Sequence, residues 1–107
     1  MEKRFTSFKE FYPFYLNEHR KTGTRVLHFI GTFLFFVIFF TFVFTGNMRL
    51  LAPTIITPYA FAWVGHFFIE KNKPATFKYP LWSLIGDFKL FFQLLFGKQK
   101  FNISQDF

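Results

Sequence analysis

The chain has 107 residues, of which 51% are apolar, 26% aromatic and only 18% charged, and Phe alone occurs 22 times. That length makes one domain. Charge is low against the roughly 25% of a soluble domain, and an interior this small cannot hide so many rings from water. The composition argues against an ordinary soluble fold and for a membrane protein, with a buried helical hairpin inside a soluble oligomer as the competing reading. The lack of Cys removes disulfides, thiolate metal sites and cysteine nucleophiles from consideration.

The net charge of +7 is unevenly spread. Residues 1–25 hold six Lys or Arg against three Glu, and residues 70–107 hold six Lys against three acids. Between them only Arg49 is charged, leaving two charge-free runs, Val26 to Met48 and Leu50 to Ile69. Each matches the ~20 apolar residues that cross a bilayer core of ~30 Å. The fold class expected is an all-α membrane protein: a two-span helical hairpin flanked by amphipathic interfacial helices. The basic flanks place both termini in the cytosol by the positive-inside rule. The membrane is then a bacterial inner membrane, or the endoplasmic reticulum in a eukaryote. Cations beside spans read as topology and attraction to membrane lipid, not as a nucleic-acid surface.

In chain order, an interfacial helix is expected over about 7–21, opened by Ser7 and Glu10 at capping-box spacing, interrupted by Pro13 and stopped by Gly23. Thr24 is placed as N-cap of the first span, about 26–46. The second span, about 50–69, has Pro53 in its first turn and Pro58 bending it. The string EKNKPATFKYP reads as a loop. Residues 81–96, about 24 Å as helix, are short of a span and read as an amphipathic helix at the cytosolic interface.

The chemistry rests on three histidines, His19, His28 and His66. Positions 28 and 66 are equidistant from Asn47, so a hairpin turning there sets them at one depth, and His19 reaches the same layer from the first helix. Imidazoles gathered at a membrane boundary suit a divalent transition metal. The competing reading is that each imidazole hydrogen-bonds a neighbouring helix or headgroup. Glu70, four residues after His66, shares its helical face if the helix persists that far. It is either a further ligand or an interfacial salt-bridge partner of Lys71, Lys73 or Arg25.

The strings FYPFYLNEHR, TRVLHFIGT and FAWVGHFFIEKNKPATFKYPLWSLIGD resemble the small membrane-protein family that includes the fungal 2-hydroxy fatty acid dioxygenase. The resemblance runs from about Phe5 to Asp87. It implies an enzyme of fatty acid alpha-oxidation that uses iron(II), Fe(2+), with His19, His28 and His66 as its catalytic, metal-binding histidines and Glu70 at the family's acidic position. The partners implied are a fatty acid or other lipid substrate and dioxygen. Arg20, Arg25, Lys71 and Lys73 are the candidates for steering the substrate carboxylate. The alternative function is a non-catalytic interaction or scaffold protein whose histidines are structural. The chain is shorter than the fungal enzyme and closer to compact bacterial members.

Overall fold

The computed structural model describes residues 5–101, and among them every regular element is helical. The first helix, α1, covers Phe8–Asn17. Ser7 Oγ accepts from the Glu10 amide at 3.2 Å, and the Glu10 carboxylate reaches back to the Thr6 amide at 3.3 Å, so the start is capped from both sides. Pro13 neither delays nor ends this helix. It sits inside α1 on the exposed side, where a missing amide costs one intrahelical bond and the ring meets no packed neighbour.

The second helix, α2, runs Thr22–Thr45 and ends at Gly46, whose φ of 66° and amide bond to the Phe42 carbonyl make a left-handed cap. Its start differs from the sequence expectation: Gly23 and Thr24 lie within α2, and Lys21 is the N-cap residue. The Lys21 amide is satisfied by Glu70 Oε2 at 2.6 Å, a carboxylate supplied from 49 residues away. A distant anion at the helix N-terminus, favoured by its dipole, replaces the local cap that Thr24 would have provided.

Among the described residues α2 is the one helix long and apolar enough to cross a membrane by itself. The second apolar run folds in two parts, α3 (Leu51–Val64) and a π-helical turn (Gly65–Glu70) ending at Lys71 in the left-handed region, φ 63°. Small residues fix how α3 lies on α2. A Cβ on Gly31 would sit 2.9 Å from Phe61 Cβ and 3.3 Å from the Pro58 carbonyl oxygen, and one on Gly65 would sit 3.1 Å from Thr24 Cγ2. Both approaches demand glycine, and together they set an antiparallel register of 24 against 65 and 31 against the turn from Pro58 to Phe61.

The last helix, α4 (Pro80–Leu95), begins with Pro in its first turn and packs against α1 and the lower half of α2. Phe11, Tyr12 and Tyr15 of α1 form the buried cluster with Leu90 and Leu94 of α4. Rings of α2 and α4 interleave, Phe29 with Phe91 at 4.7 Å and Phe36 with Phe91 at 5.4 Å. Large apolar side chains elsewhere face outward, including Phe33, Val37, Phe40 and Phe44 of α2, Ile56 of α3, and Leu81 and Ile85 of α4. So much outward apolar surface on every long helix is the composition of a surface that meets something other than water.

Candidate metal centre

Three elements deliver the histidines to one point. His19 follows α1 in a tight turn, its amide bonded to the Leu16 carbonyl at 3.1 Å; His28 sits in the second turn of α2; His66 opens the π turn. All three are buried, at 2%, 4% and 2% exposure. His19 lies between the other two, with ring centroids 4.3 Å from His66 and 5.3 Å from His28. Equidistance from Asn47 is not what joins His28 to His66. In the glycine-set register His28 stands level with the turn from Phe61 to Val64, short of His66. The imidazole from α1 fills that offset.

A carboxylate completes the group, and it comes from α4. One donor atom from each of His19, His28 and Asp87 lies within 4.8 Å of the others, and His28 Nε2 is 3.7 Å from Asp87 Oδ1. Metal–nitrogen bonds of about 2.1 Å set opposed donors about 4.2 Å apart, so small shifts would close this group on an ion. Neutral imidazoles with a carboxylate suit iron, zinc and other first-row metals alike.

The surrounding hydrogen bonds orient these donors. His19 Nδ1 donates to the Tyr15 carbonyl at 2.8 Å, which leaves the Nε2 lone pair for a ligand. His66 Nδ1 donates to Asn72 Oδ1 at 2.7 Å. The Asn72 amide nitrogen faces two Glu18 oxygens, the side chain at 2.9 Å and the carbonyl at 3.2 Å, so its oxygen must point at His66 and the imidazole proton must be on Nδ1. His28 Nε2 approaches the Asp87 carbonyl at 3.2 Å and the Tyr15 hydroxyl at 3.3 Å. Tyr15 also donates its hydroxyl to Asp87 Oδ1 and stacks its ring on His19 at 4.1 Å. This close approach needs Gly86, where a Cβ would stand 3.1 Å from the Tyr15 ring.

Burial sets the protonation of the groups outside the long apolar helices. It holds His19 well below the usual imidazole range, with the His66 and His28 rings acting in the same direction, so His19 is a neutral nitrogen donor. Burial likewise raises Tyr15 well above the usual phenol range, reinforced by Asp87, so Tyr15 stays a donor. Asp87 is raised by burial and partly restored by His28 and the Tyr15 hydrogen bond.

Two cavities meet at this group. One, of about 10 Å³, takes a single water-sized group and has Tyr15, His19, His66, Ser83 and Asp87 among its lining residues. The other, of about 300 Å³, runs between α2, α3 and α4 with His28 and Asp87 at its polar end and Phe35, Ile55, Pro58, Leu84 and Phe88 along its walls. Asp87 and Tyr59 line both.

The remaining candidates are dispersed. The Glu70 carboxylate does not join the histidines: its Oε2 accepts the Lys21 amide at 2.6 Å and caps α2. Arg25 is buried, with Nε donating to the His19 carbonyl at 2.6 Å and Nη1 to Gln99 Oε1 and the Lys100 carbonyl at 3.1 and 2.7 Å. It pins the His19 turn. Arg20, Lys71 and Lys73 are exposed. Asp87, Tyr15 and Asn72 are the site residues that sequence reasoning missed. For Asp87 a signal existed, as the one acid within the apolar stretch Leu81 to Phe96.

A family model described as "Mpo1-like: 2-hydroxy-palmitic acid dioxygenase Mpo1-like" matches residues 5–99. No curated protein and no solved structure matches the chain.

Proposed function

The chain belongs to the Mpo1-like family, and on that premise we propose that it is a non-haem iron(II) dioxygenase that shortens 2-hydroxy fatty acids by one carbon. The observation that carries this reading is the group of buried His19 and His28 with half-buried Asp87, the latter two lining an apolar cavity of about 300 Å³, with His66 beside His19. An acid headgroup and an alkyl chain need that pairing of donor cluster and greasy channel.

The reaction balances without a further reductant. A 2-hydroxy acid and dioxygen give the acid one carbon shorter, carbon dioxide and water, and the four electrons the substrate loses are the four that dioxygen takes up. Bound iron(II) would supply the activation of dioxygen. Its holders among these residues are His19, His28, His66 and Asp87; Glu70 serves the α2 N-terminus. Tyr15 keeps the Asp87 carboxylate in place, and the Asn72–Glu18 pair keeps the His66 proton on Nδ1. The cavity walls hold the alkyl chain and exclude water from the headgroup end. Arg20, Lys71 and Lys73 draw the carboxylate to the cytosolic interface, while Arg25 acts through the backbone it pins.

In the same reading α2 is one span and α3 with its π turn the other, both termini face the cytosol, and α4 lies along the inner interface. The support is the outward apolar surface of both helices and the basic flanks. Reporter fusions at the two termini and at Asn47 test the topology, and termini on opposite faces would refute it.

The functional test is dioxygen uptake by detergent-purified protein loaded anaerobically with iron(II) and supplied with a 2-hydroxy fatty acid. Uptake matched by carbon dioxide and the shortened acid supports the enzyme. Protein that takes up no divalent metal is instead a scaffold whose histidines are structural.

A further inference from the structure

Ser83 is 2% exposed, yet its Oγ has no hydrogen-bond partner among the described residues. Its backbone amide is satisfied by the Tyr79 carbonyl at 2.8 Å, so only the hydroxyl is idle. Burying an unpaired hydroxyl is unfavourable, and folds avoid it unless something else supplies the partner. The surroundings indicate what that partner is. Ser83 lies four residues before Asp87, on the same side of α4, and lines the small cavity together with Tyr15, His19, His66 and Asp87. Of the other polar groups there, Tyr15 is engaged with Asp87, His19 Nδ1 with the Tyr15 carbonyl and His66 Nδ1 with Asn72, while Ser83 is the one whose buried hydroxyl is left without a partner among the described residues. The second orphan hydroxyl is that of Thr24, a residue whose Cγ2 packs against Gly65 and which lines neither cavity.

We propose that Ser83 is a specificity-determining residue whose hydroxyl donates to an oxygen of the acid headgroup, carboxylate or 2-hydroxyl, as that oxygen enters the small cavity. The inference rests on the dioxygenase reading above. A cavity of about 10 Å³ takes one water-sized group. An incoming headgroup oxygen therefore fits there and supplies the hydrogen-bond partner that the Ser83 hydroxyl lacks.

The test is binding without turnover. Full-length wild-type protein and Ser83→Ala, both loaded with iron(II) under anaerobic conditions, are titrated calorimetrically with 2-hydroxyhexadecanoate and with hexadecanoate, alongside iron content and melting temperature. Ser83→Ala should bind the 2-hydroxy acid about 10-fold more weakly, the loss typical of one hydrogen bond to a charged or polar ligand. Its iron content should be unchanged and its melting temperature equal or higher, because alanine leaves no orphan behind. A weakening confined to the 2-hydroxy acid assigns the bond to the hydroxyl, and an equal weakening for both acids assigns it to the carboxylate. Equal affinity of the two proteins overturns the assignment while leaving the dioxygenase reading intact. A lower melting temperature in Ser83→Ala also overturns it, since the hydroxyl then serves the fold. Wild-type protein that binds neither iron(II) nor the 2-hydroxy acid refutes the reading and the inference together.

Discussion

Tyr15→Phe removes a single oxygen from the centre of the site and leaves the packing around it. The ring is 1% exposed, sits in the core cluster with Phe11 and Leu90, and stacks on His19, and phenylalanine keeps all of those contacts. What disappears is the donor to Asp87 Oδ1 and the contact with His28 Nε2 at 3.3 Å. A hydrogen bond to a charged group contributes about 1.5–3 kcal/mol, and the partial exposure of Asp87 lets water recover some of it, so the expected loss of stability is about 1–2 kcal/mol. Metal binding should suffer more visibly. Freed of Tyr15, the carboxylate loses its orientation, and removing such an outer partner typically costs 10–100-fold in metal affinity. Competition with a chelator under anaerobic conditions measures that affinity, and thermal melts of the metal-free protein measure the stability. Unchanged affinity for iron(II) in a folded Tyr15→Phe protein would refute the idea that Asp87 is a ligand held by Tyr15.

Gly86→Ala perturbs the same pair by crowding. A methyl group 3.1 Å from the Tyr15 ring must push it aside, at about 1–3 kcal/mol and with weaker metal binding; wild-type melting and loading would show the contact to be slack. Glu70→Gln keeps an acceptor for the Lys21 amide while losing the charge at the α2 N-terminus, so it should cost about 0.3–1 kcal/mol and retain iron. Iron loss matching that of the histidine variants would make Glu70 a ligand. Alkaline pH should destabilise the metal-free protein. Burial pushes Tyr12 up to about 12 and Tyr15 well above its ordinary value, so the stability tied to these protonated phenols is whole below the ordinary phenol value of 10.0 and declines as pH rises through the folded values. Melting curves taken from pH 8 to 11 should show this decline, and it should be shallower in Tyr12→Phe.

Much of the architecture is readable from charge and hydropathy. The two charge-free runs become α2 and the α3–π segment because apolar side chains at every helical position permit burial against protein or lipid. What the sequence conceals is long-range. No local pattern tells that Glu70 caps a helix 49 residues upstream, so the start of α2 was expected a turn late. The convergence of the histidines is legible, but for the wrong reason: Gly31 and Gly65 set the register, and His19 bridges the offset. Asp87 escaped because an acid in an amphipathic helix reads as a solvent-side residue until the fold turns it toward His28, 59 positions away.

The most direct measurement is iron per chain after anaerobic loading and desalting, on matched amounts of folded wild-type protein and of His19→Ala, His28→Ala, His66→Ala and Asp87→Asn. A site built from these donors holds about one iron(II) in the wild type and loses most of it in each variant, because too few ligands remain to compete with water. A full complement of iron in any folded histidine variant contradicts the site, and wild-type protein that retains none contradicts the metal centre altogether.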